Sequence, residues 1–286
     1  MGAGVGLPLH PDRAYLALTE PLLAGCDYVE LVPETMWRAE DGAPNGFHRA
    51  FRALIARWDL DAVGHGVAFD LGCGHVDEAR RNLWLEHLVR DHATFGFRWI
   101  SDHLGATSVA GEQVGLPMPL PPTALTAART RASLDLLGAL APAAVENSAW
   151  SFYPGDPLEE PAWLLEASAG HQLVLDLHNL VTSADNLGFE PEAWLERLDL
   201  GKVVELHVSG GSESPTAWLA SGRSFRLDSH DEAVPERVWA LLEHVLPRCP
   251  ALRGVTLERR EGTVTASDVP QLAEELARVR FLVERA

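Results

Sequence analysis

Short apolar runs rich in β-branched residues alternate eight times with longer amphipathic segments along this chain. Strand–helix units that follow one another without a linker favour a parallel sheet closed into a (β/α)8 barrel. The 286 residues suit one TIM barrel, so we expect a single α/β domain over residues 1–286. An open doubly wound sheet is the alternative, although the glycines of GAGVG precede or enter the first strand instead of following it as in a dinucleotide fingerprint. The predicted strands are Gly4–Leu9, Tyr28–Val32, Ala62–Ala68, Arg98–His103, Ala143–Asn147, Leu173–Leu177, Val203–Val208 and Gly254–Glu258.

The segments between these strands have the apolar spacing of helices. Asp268 is a predicted N-cap of the last helix, and Gly170 is a predicted stop for the fifth. Two long irregular loops, Gly105–Pro122 and Ser209–Ala233, follow the fourth and seventh strands. In a barrel both loops would cover the C-terminal face, where active sites are built. The predicted helices are Arg13–Ala24, Phe47–Trp58, Val76–Phe95, Thr123–Leu140, Leu158–Ala169, Pro191–Leu198, Val234–Leu246 and Asp268–Val283.

The composition narrows the class of protein. Lys and Arg number 23 against 41 Asp and Glu, a net charge of −18, and no basic run interrupts the chain. Nucleic acid is therefore not an expected partner. Three distant cysteines (Cys26, Cys73 and Cys249) form neither a disulfide framework nor a cysteine zinc site, and none is expected to be catalytic. The N-terminus lacks the features of a signal peptide and no run approaches a membrane span, which predicts a cytoplasmic protein without membrane attachment.

Ionisable side chains gather at the ends of six predicted strands and in one loop. Burying so many of them requires a compensating charge, which divalent or trivalent metal ions supply. Nine nitrogen and oxygen ligands without a thiolate exceed what one tetrahedral zinc takes, so two or three ions of iron, manganese or zinc are implied. Asp176 and His178, two residues apart, are expected on the same side of the sixth strand. The predicted metal ligands are His65, His103, Glu146, Asp176, His178, His207, Asp228, His230 and Glu258.

Four polar neighbours of these ligands are predicted to support them through hydrogen bonds, as the partners of metal ligands commonly do. They are Ser101, Asp102, Asn147 and Asn179. The seven remaining histidines are expected at the surface or in structural roles, namely His10, His48, His75, His87, His92, His171 and His244.

Seven motifs follow one another in a recognisable order between Gly4 and Glu258: SDHL, PMPLP, VENSA, LDLHN with SADNLGF, ELHVSGG, DSHD and TLER. As a set they resemble the multinuclear non-haem iron-dependent oxidative enzymes, TIM-barrel proteins typified by the oxidase subunit of methanobactin biosynthesis. The resemblance implies a centre of two or three iron ions that uses O2 to modify residues, often cysteines, of a ribosomally made precursor peptide. It also implies a separate partner protein that presents the leader peptide, or a member that works without one.

The resemblance also implies how the ligands are shared among the ions. His178 stands where members of this family often have asparagine. Because imidazole is the stronger ligand, the third site is expected to be better occupied or to prefer another metal. By the family pattern, the three irons would be held in turn by His65, His103 and Glu146; by Glu146, Asp176, His207 and Glu258; and by His178, Asp228 and His230.

Three other functions are compatible with parts of the pattern. A metal-dependent sugar isomerase or epimerase uses similar strand-end ligands, but for one or two ions. A phosphodiesterase or endonuclease with a trinuclear zinc site matches the number of ligands, but the acidic charge opposes binding to a phosphate backbone. A metal-storage or peptide-carrier protein would need a closed coordination shell. The metal that the protein binds would separate the enzymes. Iron would indicate the oxidative enzyme, manganese or magnesium the isomerase, and zinc the phosphodiesterase or endonuclease.

Overall fold

Eight parallel strands close into a barrel, which confirms the predicted (β/α)8 architecture. The computed structural model describes residues 2–72, 78–109 and 112–286. The barrel strands are β1 Gly4–Leu9, β2 Tyr28–Leu31, β3 Asp61–Gly66, β4 Ile100–His103, β7 Ala143–Glu146, β8 Gln172–Asp176, β9 Val203–Val208 and β10 Gly254–Leu257; β5 Ala106–Val109 and β6 Glu112–Met118 form a separate antiparallel pair.

Helices pack around the outside of the barrel, and the large apolar core lies between them and the strands. Phe51, Leu134 and Leu242 are fully buried in this layer. The helices are α1 Arg13–Thr19, α2 Gly46–Trp58, α3 Glu78–Phe95, α4 Ala124–Gly138, α5 Glu160–Ala167, α6 Leu177–Leu187, α7 Pro191–Leu195, α8 Glu236–Val245 and α9 Val269–Arg285. Among the described residues, no helix combines the length and apolar character that crossing a membrane requires.

The register of the barrel strands brings polar side chains together at their C-terminal ends. Residues paired across neighbouring parallel strands project to the same side of the sheet, and alternate residues of each strand face the barrel interior. Strand-end residues that are far apart in sequence thus become neighbours in one interior layer. The pairs in this layer are His65 with Ser101, His103 with Glu146, and Asp176 with His207.

A second interior layer closes the barrel beneath these residues. Glu205 is fully buried there and accepts hydrogen bonds from Tyr28 Oη (2.9 Å), Thr256 Oγ1 (2.6 Å) and Trp99 Nε1 (2.6 Å). Three donors therefore satisfy a buried carboxyl that would otherwise be costly. The small apolar cluster of this layer consists of Tyr28, Val63, Trp99, Ala144, Val174 and Val204.

Two elements differ from the sequence prediction. The segment after β8 was expected to stay extended, but the strand ends at Asp176, whose side chain caps α6 by accepting from Asn179 N at 2.7 Å. The predicted irregular loop Gly105–Pro122 contains the β5–β6 hairpin. Its proline-rich sequence is tolerated because the hairpin lies outside the barrel, where strand edges are free.

Most predicted element ends hold to within three residues, but α1 ends at Thr19, five residues before the predicted end at Ala24, and a 3-10 helix, Glu20–Gly25, follows it. Asp268 occupies the N-cap position of α9, as predicted, although its carboxylate accepts from Thr265 N (2.7 Å) and makes no capping bond to the helix. Helix α5 ends at Ala167, and Gly170 adopts a φ of +90° in the turn that follows. The predictions for Cys73 and His75, and the predicted helix start at Val76, lie outside the described residues.

Candidate metal centre

Two histidine rings converge on one carboxylate at the C-terminal ends of β3, β4 and β7. His65 Nε2 lies 3.2 Å and His103 Nε2 lies 3.1 Å from Glu146 Oε2, and the ring centroids are 4.6 Å apart. The other nitrogen of each ring faces a neighbour: Ser101 Oγ is 2.8 Å from His65 Nδ1, and Gly66 O is 3.3 Å from His103 Nδ1. These contacts orient both Nε2 atoms toward the same point.

The second oxygen of Glu146 faces a different set of side chains. Glu146 Oε1 is 3.1 Å from His207 Nδ1, and Glu258 Oε2 approaches the same nitrogen to 3.4 Å. Ligand atoms of Glu146, Asp176 and His207 all lie within 4.8 Å of one another, as do those of Asp176, His230 and Glu258. Glu146 therefore joins two groups of potential ligands, one through each carboxylate oxygen.

A third group lies on α6 and on the loop after β9. Asp228 Oδ1 is 2.6 Å from His230 Nε2 and 3.9 Å from His178 Nδ1. His178 was expected beside Asp176 on one face of a strand, but it lies in the first turn of α6 and belongs to this third group. His230 has a φ of +49°, a left-handed conformation that is costly for a residue with a Cβ.

Three of the four predicted supporting residues contact a predicted ligand that is not their neighbour in the sequence. Besides Ser101, the Asn147 side chain exchanges two hydrogen bonds of 2.9 Å with the backbone of Asp176, and Asn179 donates from its backbone to the Asp176 carboxylate. Asp102 lies on the other side of β4, where its carboxylate accepts from Phe69 N at 3.1 Å and from the backbone of its neighbour His103. Its supporting role stays a prediction.

The pKa shifts in the centre show that many ionisable groups lie close together. Burial alone would lower the pKa of His65, but the carboxylates of Glu30 and Glu146 raise it to about 10. His230 behaves in the same way beside Asp228 and Glu258, and its pKa also rises to about 10. Burial raises the pKa of Asp176 well above its usual range. Carboxyl groups so close together favour a bound cation or protons.

Many potential metal-ligating atoms of the centre are buried but have no hydrogen-bond partner, and such unpaired buried polar atoms are rare in folded proteins. Carboxylate oxygen and imidazole nitrogen suit iron, manganese and zinc, so the residues fit a metal centre. Considering only the described residues, the buried atoms without a hydrogen bond include Glu30 Oε2, Glu146 Oε2, Asp176 Oδ2, both ring nitrogens of His178, His207 Nε2 and Glu258 Oε2.

Sequence reasoning missed one residue of this centre, Glu30 on β2. It is 1% exposed, and its Oε2 lies 3.1 Å from His207 Nε2. A weak signal was present, because a carboxylate interrupts the apolar run YVELV two residues after Tyr28 and thus faces the barrel interior.

Comparison with known proteins identifies the family. The family model described as "RiPP precursor modification enzyme MbnB/TglH/ChrH" matches residues 2–284, where RiPP denotes a ribosomally synthesised and post-translationally modified peptide. The chain belongs to this family. This confirms the family predicted from the sequence motifs, and it makes the chain a member of a family of enzymes that act on precursor peptides.

Relatives of similar length occur in other bacteria. A UPF0276 protein of Caulobacter vibrioides is 31% identical over 295 residues, covering 99% of this chain and 95% of the relative. A UPF0276 protein of Pseudomonas aeruginosa is 32% identical over 296 residues, covering 100% of this chain and 93% of the relative. The similarity to both relatives thus extends over the whole barrel of this family member.

Solved structures share the fold of the family member at low sequence identity. D-psicose 3-epimerase from Clostridium cellulolyticum superposes with a TM-score of 0.60 and 10% identity, covering 98% of this chain and 99% of that chain. Endonuclease IV from Thermus thermophilus gives 0.58 and 22%, covering 99% of this chain and 100% of that chain. At these identities the likeness shows the TIM-barrel fold alone.

Proposed function

We propose that this chain binds two or three iron ions and uses O2 to oxidise residues, foremost cysteines, of a ribosomally synthesised precursor peptide. The observation that carries the proposal is the position of Glu146. Its Oε2 faces His65 and His103, while its Oε1 faces His207. A buried carboxylate shared by two groups of nitrogen ligands is suited to bridging two metal ions, which a mononuclear site does not need.

Three ligand groups would hold the ions. Bound iron would supply the one-electron redox chemistry and the activation of O2 that side chains alone lack. The protein residues fix the geometry: Ser101 orients His65, and Asn147 and Asn179 hold Asp176 in place. The proposed groups are His65, His103 and Glu146; Glu146, Asp176, His207 and Glu258; and His178, Asp228 and His230.

The third group argues for more metal than one or two ions. His178 is fully buried, and both of its ring nitrogens lack a hydrogen bond. Burial lowers its pKa to about 4, so the ring is neutral at physiological pH and keeps a lone pair for a metal. This supports a trinuclear centre in which His178 replaces the asparagine common in the family.

The remaining parts of the proposal concern where and with what the enzyme works. We propose that the chain acts in the cytoplasm as one (β/α)8 domain, with a separate leader-peptide-binding protein as partner. The net charge of −18 opposes a nucleic-acid substrate.

Metal analysis and Mössbauer spectroscopy test the proposal. The chain is expressed in iron-supplemented cells and purified without chelator, and we expect two or three irons per chain with a spectrum that changes on exposure to O2. Incubation with a cysteine-containing precursor peptide should then give an O2-dependent mass change in the peptide. Zinc or manganese without iron would contradict the proposal and favour a hydrolase or an isomerase.

A matched pair of variants controls for folding. Glu146→Gln should lower the iron content and abolish the mass change, because an amide cannot bridge two cations as a carboxylate does. Glu160→Gln changes another buried carboxyl, held by Trp150 and Trp194 on the outside of the barrel, and should keep the full iron content. Equal iron in both variants would argue against the bridging role.

A further inference from the structure

The two nitrogens of His207 face different surroundings. Nδ1 faces the proposed second metal site, 3.1 Å from Glu146 Oε1 and 3.4 Å from Glu258 Oε2. Nε2 faces the barrel interior, 3.1 Å from Glu30 Oε2. A neutral imidazole that binds a metal through one nitrogen carries its proton on the other, and the partner of that proton sets the tautomer. His207 is fully buried, so this partner must come from the protein.

Two carboxylates compete for Nε2 of His207, and one of them is already satisfied. Glu205 Oε1 lies 3.5 Å from Nε2 and accepts from Tyr28 and Thr256, while Glu205 Oε2 accepts from Trp99. Glu30 Oε2 is closer, at 3.1 Å, and among the described residues it has no hydrogen-bond partner that already satisfies it. Hydrogen bonds to a charged acceptor are shorter and stronger than neutral ones. Glu30 is therefore the better acceptor for Nε2–H.

We propose that Glu30 is a positioning residue for the metal centre: it accepts the Nε2 proton of His207 and so presents Nδ1 to the metal held with Glu146, Asp176 and Glu258. This inference rests on the proposed function, because it assigns a role toward the second metal site. Glu30 touches neither the ion nor the peptide and acts through the orientation and tautomer of His207.

In the opposite arrangement, the metal binds Nε2 of His207 and Glu30 has a different role. Glu30, His207 and Glu258 also bring ligand atoms within 4.8 Å of one another, so Glu30 would itself be a ligand if the metal bound Nε2. In that case the group of Glu146 and Asp176 would lose its only imidazole nitrogen to another ion or keep it as a bridging imidazolate. The nitrogen that carries the proton therefore decides between the two arrangements.

Nitrogen NMR of the full chain measures directly which nitrogen of His207 carries the proton. Apo-protein labelled with 15N-histidine is loaded with Zn²⁺ as a diamagnetic probe, and long-range 1H–15N spectra are assigned for His207 by comparison with His207→Gln. We expect a protonated Nε2 and a metal-bound Nδ1. A metal-bound Nε2 would overturn the proposal and make Glu30 a ligand.

Variants test whether Glu30 causes this pattern. Glu30→Gln keeps an acceptor oxygen and should keep the tautomer, whereas Glu30→Leu removes the acceptor and should weaken Zn²⁺ binding about 10- to 100-fold, measured by competition with a chromophoric chelator. Glu160→Gln is the matched control, because it alters a buried carboxyl held by Trp150 and Trp194 on the outside of the barrel and should leave both the His207 pattern and the Zn²⁺ affinity unchanged.

The outcomes separate this inference from the proposed function. Unchanged affinity in Glu30→Leu together with weakened binding in His207→Gln would refute the role of Glu30 alone. Unchanged affinity in His207→Gln would refute the second metal site of the proposed function. If Glu30→Leu fails to fold, as shown by urea unfolding of the apo-protein, the wild-type pattern and Glu30→Gln still decide.

Discussion

Two glycines that follow β9 set the position of the loop that carries Asp228 and His230, and replacing one of them tests the third ligand group. A Cβ built on Gly211 would lie 2.3 Å from Leu227 O and 2.8 Å from His178 Cε1. Non-bonded atoms need about 3.5 Å, so in Gly211→Ala the backbone at Leu227 must move by about 1 Å. Asp228 is the next residue and must move with it.

This displacement should change two measurable quantities, the stability of the apo-protein and the iron content. Overpacking of a buried site should destabilise the apo-protein by about 1–3 kcal/mol in urea unfolding. Displacement of Asp228 should empty the third site, so that iron analysis of Gly211→Ala shows one ion fewer per chain than the wild type, with the other two groups still loaded. The apo measurement tests the packing argument independently of any metal.

Gly46→Ala is the matched control, because a Cβ at Gly46 has no described atom within 4 Å and the residue begins α2. It should change neither stability nor iron content appreciably. Full iron content in Gly211→Ala would refute the link between the glycine and the third group. Loss of every ion would show that the loop does not act on one site alone.

Three further predictions concern other parts of the chain. His230→Gly should be more stable than His230→Ala by about 1 kcal/mol, because only glycine adopts the φ of +49° without a Cβ penalty; equal urea midpoints would contradict this. Burial raises the pKa of Glu160 from its ordinary 4.5 to about 7, so the native state binds the proton more tightly. Wild-type stability relative to Glu160→Gln should therefore fall by about 3 kcal/mol as pH rises from 4.5 to 7, and a flat difference would refute the burial argument. Ser101→Ala removes the partner of His65 Nδ1 and should weaken metal binding at the first group about 10-fold, and unchanged affinity in chelator competition would count against that role.

The barrel could be predicted because its pattern is local. Each strand is a short, mostly apolar run, and the bounds of β1 and β9 match the prediction at both ends. Helix α6 was missed although its signals are also local: Asp176 precedes Leu177, Leu180 and Val181 at helical spacing. The apolar run LVLDL continues past the end of β8, so the N-cap at Asp176 could not be distinguished from a position within a strand.

The arrangement within the candidate site depends on contacts that sequence spacing does not reveal. Asp102 adjoins His103 in the sequence, but adjacent strand residues face opposite sides, which takes Asp102 away from the ligand groups. Glu30 meets His207 only because β2 and β9 enclose the same interior. A single carboxylate in an apolar strand carries too little information to predict such a partner.

The interior layer around Glu205 makes the barrel a cup closed at one end. Tyr28 and Trp99 are at most 4% exposed, and their hydrogen bonds to Glu205 close the space beneath the ligand groups. A peptide cannot thread through such a barrel. An internal residue of a peptide must reach the ligand groups as a bend, with both flanking segments leaving through the opening by which it entered. Turn-forming residues beside the modified position would therefore favour entry, and a rigid extended segment would be excluded.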